Sequence, residues 1–396
     1  MTTPASVPLN DVNSPVLFRE QRTSSQHKIG LATLNSEATL NSLSLEMIGI
    51  IATQLDRWSE DEELVCVLID GAGERAFSAG GDIQALYRSM IRGNEDARNV
   101  GGYAEEFFEA EYRLDHQLHT YPKPVIAWGS GVVMGGGLGV FSAAGIRIVT
   151  ENSRIAIPEI TIGLFPDAGA THLLGNLPRH QALFLALTAS HMNAGDAIEL
   201  GLATHFIAQA KKSAALDAMT RIEWLAQPLR DAELIGEQMN ELVGVATLPA
   251  SQIRAHDDII RDALADRDEP VEIGSALRGL AGSHPWIDRG LETFSRGCPT
   301  SAGIIVEQIR RAGQLDLEQG LRLELVIATH CARNTDFAEG IRALIIDKDN
   351  RPRWRFASLE ELPWTWVLEH FEPPWRVNPL SDLSPATAAT TQRQTS

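Results

Sequence analysis

Cysteine is scarce. Only Cys66, Cys298 and Cys331 occur in 396 residues, too few and too scattered for a disulfide framework, and no CxxC pair or Cys/His cluster at ligand spacing suggests a zinc site. No metal is expected. Sparse thiols fit a reducing compartment, and the expected location is the cytoplasm. Basic residues are also in deficit: 34 Lys plus Arg stand against 52 Asp plus Glu, a formal net charge of −18. Such a surface repels phosphate backbones, so a general nucleic-acid binder is excluded, whereas a small anion held in a local pocket is not. Residues 1–18 contain no Lys or Arg, so neither a signal peptide nor an Arg-rich transit peptide is expected there. GxSxG, GxxxxGK[ST] and HExxH are absent, and no GxGxxG follows a strand, which leaves serine-hydrolase, nucleotide-binding and zincin chemistry without support.

One run imitates a membrane span. Val125 to Ile146 is 22 residues without a charge, long enough to cross a bilayer. Its seven glycines would make a poor continuous helix. The run reads instead as a buried strand, a glycine turn and a short buried helix, and no membrane is expected as a partner.

What is present is an alternation. Strands are expected at His27–Leu34, Leu64–Asp70, Val125–Trp128, Gly145–Thr150, Ser153–Ile157 and Leu202–Ile207; the continuous apolar run of Leu64–Asp70 indicates burial on both faces. Helices are expected at Ser44–Trp58, Tyr103–Thr120, Ala170–Leu174 and Gln181–Leu187 from apolar residues at helical spacing. Gly71–Gly81 reads as a loop, with Asp82 capping the next helix. From about Lys211 the pattern becomes mostly helical, broken at Pro228, Pro249, Pro270, Pro285 and Pro299. The expected organisation is an N-terminal extension (1–15), an α/β core (16–210), a helical region (211–372) and a loose tail rich in Pro, Ser, Thr and Ala (373–396).

Four features have chemical potential. Ala79-Gly80-Gly81-Asp82 and Met134-Gly135-Gly136-Gly137 each follow a strand and open a helix. Such turns aim backbone N–H groups outward and together can form an oxyanion hole, or they serve only tight packing. Glu159 and Asp167 flank the neutral segment Ile160–Pro166. They are either partly desolvated acids fit for base or nucleophile work, or surface acids at loop corners. Glu111 sits in an acidic helix between Phe107/Phe108 and Leu114; the alternatives are a solvated face and an inward carboxylate.

Taken together, Ala76-Phe-Ser-Ala-Gly-Gly-Asp82, Met134-Gly-Gly-Gly137, and Pro158-Glu159 with Gly163-Leu-Phe-Pro-Asp-Ala-Gly169 resemble the crotonase (enoyl-CoA hydratase/isomerase) superfamily over about residues 16–210. Glu111-Tyr112, Cys298-Pro-Thr-Ser301, Asp336-Phe-Ala-Glu-Gly-Ile-Arg342 and Ile346-Asp-Lys-Asp349 extend the resemblance nearly full length, toward its 3-hydroxyisobutyryl-CoA hydrolase branch. The resemblance implies a crotonase-like spiral of ββα turns followed by helices that often mediate trimer contacts, so a homo-oligomer is expected. It implies oxyanion N–H groups from Gly81 and Gly136, catalytic carboxylates Glu159 and Asp167, and Glu111 as substrate-binding glutamate. It also implies an acyl-CoA substrate, with CoA part of the substrate and no separate cofactor. Hydratases of this superfamily carry a second glutamate where this chain has Gly139, and usually glycine where it has Asp167. The expectation is therefore hydrolysis of short 3-hydroxyacyl-CoA thioesters, 3-hydroxyisobutyryl-CoA of valine catabolism in particular. The alternatives are an isomerase or hydratase of the same superfamily, or a catalytically silent subunit of that fold.

Overall fold

The computed structural model describes residues 11–95, 102–244 and 247–385. The first half runs β1 (Val16–Arg22), β2 (Lys28–Leu34), α1 (Leu45–Glu60), β3 (Leu64–Gly71), β4 (Ala76–Ser78), α2 (Ile83–Glu95), α3 (Gly102–His119), β5 (Val125–Gly129), β6 (Val132–Met134), α4 (Gly136–Ala143), β7 (Ile146–Val149) and β8 (Arg154–Ala156). A 3-10 turn (Glu159–Ile162), α5 (Ala170–Gly175), α6 (Arg179–Thr188), α7 (Ala194–Glu199) and β9 (His205–Phe206) complete it. A long strand, a short strand and a helical segment recur three times, as β3-β4-α2, β5-β6-α4 and β7-β8 with the 3-10 turn. This is the expected spiral of ββα turns.

One six-stranded sheet is ordered β1-β2-β3-β5-β7-β9, and the three-residue strands form a second sheet, β4-β6-β8. Among the described strands, β1 and β2 pair antiparallel and the other strand pairs are parallel. β3 is buried on both faces, as its unbroken apolar run requires. Val67 and Ile69 enter the main core, while Cys66 and Leu68 enter a second core. That second core is closed by Ala215 and Met219 of α8 (Lys212–Thr220) and Ile235 and Met239 of α9 (Pro228–Leu242).

The remaining helices are α10 (Gln252–Leu264), α11 (Pro270–Gly279), α12 (Pro285–Arg296), α13 (Pro299–Ala312), α14 (Leu317–Arg333), α15 (Thr335–Ile341) and α16 (Trp364–Glu369). Pro228, Pro270, Pro285 and Pro299 are the first residues of their helices, where a missing N–H costs nothing. These helices fold back on the spiral. α13 lies on α5 and α6, α14 on α3 and α5, and α15 on α2 and the 159–162 turn. Among the described residues no helix is long and apolar enough to cross a membrane.

The structure adds three strands that the sequence did not announce. β4 and β6, three residues each, lie in stretches that read as a loop and a glycine turn. β1 mixes apolar residues with Arg and Glu and sits at the sheet edge. The expected loose tail is corrected for residues 374–385. Leu380 is fully buried. Arg113 of α3 donates to the Pro379 carbonyl at 2.7 Å, and Arg322 of α14 to those of Leu380 and Leu383 at 3.0 and 2.5 Å. Residues 1–10 of the expected extension and 386–396 of the expected tail lie outside the described residues.

Candidate active site

The small parallel sheet gathers the site. β4, β6 and β8 end side by side, and beyond their C-terminal ends run Ala79-Gly80-Gly81, Gly135-Gly136 and Ile157-Pro158-Glu159. Pairing of three short strands thus brings together turns that are far apart in sequence, at the strand end where α/β sheets place ligands. The two glycine turns meet face to face. Gly80 (φ 100°) and Gly135 (φ 52°) adopt backbone that only glycine takes easily. A Cβ on Gly80 would stand 3.1 Å from the Met134 carbonyl oxygen and 3.3 Å from Gly136 N.

Among the described residues the Gly81 N–H has no hydrogen-bond partner. The bridge at this point uses Leu43 N with Gly80 O and Asp82 N with Leu43 O. Gly136 opens α4, so its N–H has no carbonyl of the preceding turn to bond. Asp82 caps α2 as expected, accepting from Ala85 N at 3.1 Å.

Glu111 turns inward. It is 3% exposed, and its Oε1 lies 3.7 Å from where a Gly81 Cβ would be and directly where a Gly136 Cβ would go. Glu159 begins the 3-10 turn, with Oε1 3.5 Å from the position of a Gly135 Cβ. Asp167 follows in the next loop, and Tyr112 donates its hydroxyl proton to Asp167 Oδ2 at 2.8 Å. The structure thus brings together all five residues singled out in the sequence: Gly81, Glu111, Gly136, Glu159 and Asp167.

The acids share one dry environment. Burial, reinforced by the Asp167 charge, pushes the Glu159 carboxyl well above the usual carboxylate range. Glu111 is raised for the same reason, with Asp167, Glu159 and Glu324 adding repulsion. Asp167 rises to about 6, burial outweighing the Tyr112 hydrogen bond that favours its ionised form. Titration of such neighbours belongs to the group rather than to one residue.

Three residues of this neighbourhood escaped sequence reasoning. Tyr112 orients Asp167. Asp115, one turn after Glu111 on α3, is completely buried with both oxygens unpartnered among the described residues. Glu324, from α14, accepts N–H bonds from Gly169 at 2.8 Å and Thr171 at 2.7 Å. A signal for Glu324 existed, since it shares a helix face with Leu321, Ile327 and Ala328.

Gly139 has no room for a side chain. A Cβ there would stand 2.7 Å from the Ala168 carbonyl oxygen, 2.8 Å from the Ala168 methyl and 3.1 Å from Asp115 Oδ1. The loop that carries Asp167 fills the volume that a longer residue at 139 would need.

The second half braces the Glu159 turn from behind. Cys298 N–H donates to the Ile160 carbonyl at 3.0 Å. A Cβ on Gly340 would fall on the Ile162 backbone, and one on Gly163 on the Asp336 backbone. Asp336 is itself held by the Thr300 hydroxyl at 2.8 Å and Arg355 N–H at 2.7 Å.

Comparison with known proteins agrees with this fold. A 3-hydroxyisobutyryl-CoA hydrolase, mitochondrial, from Gallus gallus is 31% identical over 354 residues, 87% of this chain and 86% of its own. Among solved structures, an enoyl-CoA hydratase from Rhodobacter sphaeroides 2.4.1 superposes with a TM-score of 0.77 at 32% identity, covering 91% of this chain and 98% of that one. A carnitinyl-CoA dehydratase from Mycobacterium thermoresistibile gives 0.79 at 30% identity, covering 94% and 100%. The family model described as enoyl-CoA hydratase/isomerase matches residues 29–371. With its spiral of parallel strands and a match over most of its length, the chain belongs to the enoyl-CoA hydratase/isomerase family.

Proposed function

We propose that the protein hydrolyses short 3-hydroxyacyl-CoA thioesters, with 3-hydroxyisobutyryl-CoA, an intermediate of valine catabolism, as the substrate of choice. The observation that carries this reading is the exchange of acids at the site. The Asp167 loop occupies the space beside Gly139, so Glu159 is paired with a Tyr112-held aspartate rather than with a glutamate on α4. Syn addition of water to a double bond needs two carboxylates, one on each proton transfer. Thioester cleavage needs one nucleophile or base, a hole for the oxyanion and a means of protonating the thiolate.

In this mechanism the thioester oxygen lies against the Gly81 and Gly136 N–H groups, which stabilise the charge that develops on it. Glu159 either attacks the carbonyl carbon, giving a mixed anhydride and free CoA thiol, or takes a proton from the water that attacks. Both routes consume one water and yield the acid and CoA. Asp167 orients the 3-hydroxyl and assists protonation of departing sulfur, and Glu111 contacts the acyl portion. The relatives named hydrolase support the reaction class, whereas the structural neighbours named hydratase and dehydratase favour the rival.

The experiment is a panel of acyl-CoA thioesters followed by free-thiol detection, alongside hydration of crotonyl-CoA. Fast thiol release from 3-hydroxyacyl substrates with negligible hydration is expected. Robust hydration without thiol release would overturn the proposal. Single turnover in heavy-oxygen water followed by mass measurement of the Glu159 peptide separates the two routes, label in that peptide marking the anhydride.

A further inference from the structure

The loop between the 3-10 turn and α5 is held in a conformation that its own residues do not favour. Ala168 has φ 56° and Gly169 φ 85°, consecutive left-handed positions of which the first carries a Cβ. Gly169 is also the N-cap of α5 and has no side chain with which to accept that helix's first N–H groups. A loop of this kind keeps its shape only if something outside it supplies the missing acceptors.

Two helices of the second half do so. Glu324 of α14 accepts from Gly169 N with Oε2 and from Thr171 N with Oε1, and its side chain is fully buried. From a second helix, Gln308 of α13 donates to the Pro166 carbonyl at 2.6 Å and to the Thr171 hydroxyl at 2.8 Å. Asp167 is therefore bracketed, its preceding carbonyl fixed by Gln308 and the second N–H after it by Glu324. Inside the site it meets Tyr112. Both printed partners of Glu324, Gly169 and Thr171, belong to this loop and the start of α5.

We propose that Glu324 is a positioning residue, a capping acceptor supplied by α14 to the foreign helix α5, which with Gln308 sets the place of Asp167 against substrate. The inference rests on the hydrolase reading of the site, for which Asp167 matters. Its consequence is specific: the positioning effect of Glu324 runs through Asp167, so most of the cost of its removal requires Asp167 to be there to be misplaced.

Glu324→Gln is the near-isosteric test. A glutamine keeps one acceptor and turns an NH₂ toward the other backbone N–H. Misplacement by about an ångström costs on the order of 10²-fold, so kcat for a 3-hydroxyacyl-CoA should fall about 10- to 100-fold with KM within a few-fold. In the Asp167→Asn background the same change should cost less than about threefold, because coupled residues are non-additive. Gln308→Met removes the grip from the second helix and should show the same dependence on Asp167, which keeps the test open if Glu324→Gln folds poorly. Amide exchange across residues 164–175 should accelerate in both variants. Equal losses in the two backgrounds, or unchanged kcat in a folded variant, would overturn the proposal. A wild type without thiol release would count against the hydrolase reading, and exchange protection at Gly169 and Thr171 would then decide whether Glu324 anchors the loop.

Discussion

The spiral and the helices behind it divide the work differently. Beyond the ends of β4, β6 and β8, the spiral presents backbone N–H groups and the Glu159 carboxylate from three short strands that could hardly stand alone. The second half places no group among the five that converge there, yet it fixes two of the loops on which they sit. Cys298 holds the Ile160 carbonyl, Gly340 seats the Ile162 backbone, and Glu324 with Gln308 grips the Asp167 loop. On the proposed reading chemistry comes from one region and shape from the other, so a change in each should fail in its own way.

Glu159→Gln strikes the chemistry most directly. It removes the carboxylate that opens the turn after β8, and thiol release should fall about 10³–10⁴-fold, as loss of a base or nucleophile does, with the melting temperature preserved. Turnover within tenfold of wild type would remove Glu159 from the reaction.

Gly136→Ala comes next. Its methyl would fall on Glu111 Oε1, so the carboxyl or the start of α4 must shift and the N–H with it. A loss of about 10²–10³ in kcat is expected, the scale for one oxyanion donor. Gly81→Ala is no neutral control for such work, since its Cβ would stand 2.8 Å from the Phe107 ring.

Asp167→Asn should lower kcat about 10- to 100-fold and change the pH profile. The Asp167 charge helps hold the Glu159 carboxyl above its ordinary range. Without that charge Glu159 ionises at lower pH, so the acid limb of kcat/KM should move down. An acid limb that stays put would show that the two groups do not titrate together.

Gly340→Ala tests the brace. Overpacking of this kind costs about 1–3 kcal/mol, because the new methyl meets the Ile162 backbone. Thermal unfolding should register this loss clearly and kcat only a few-fold decrease. The contrast with Gly136→Ala is the point: there activity should collapse with stability nearly intact. Similar kinetic and thermal losses for both would erase the distinction between the regions.

The sequence exposed some of this and hid the rest for physical reasons. β3 was plain because burial on both faces demands an unbroken apolar run, and α3 because its apolar spacing persists for five turns. β4 and β6 are too short for any period to show. The glycine turns and the Glu159–Asp167 segment stood out through local composition. Their convergence, and the inward turn of Glu111, depend on strand pairing that no local pattern encodes. Composition misled at the tail, where Pro, Ser and Thr suggested looseness while Arg113 and Arg322, hundreds or tens of residues away, donate to its carbonyls.

The crowding at Gly139 has a consequence for how such enzymes diverge. To restore a second glutamate there, a single substitution would drive its side chain into Ala168 and Asp115. The substitution would cost about 1–3 kcal/mol of stability through overpacking before it gained hydration. Withdrawing the loop first would displace Asp167 and, on the proposed reading, weaken hydrolysis before any replacement chemistry existed. The two activities are therefore not neighbours in sequence space, despite sharing a backbone. A lineage moving between them must change position 139 and the 166–169 loop together, or pass through a duplicate copy freed from selection for either reaction.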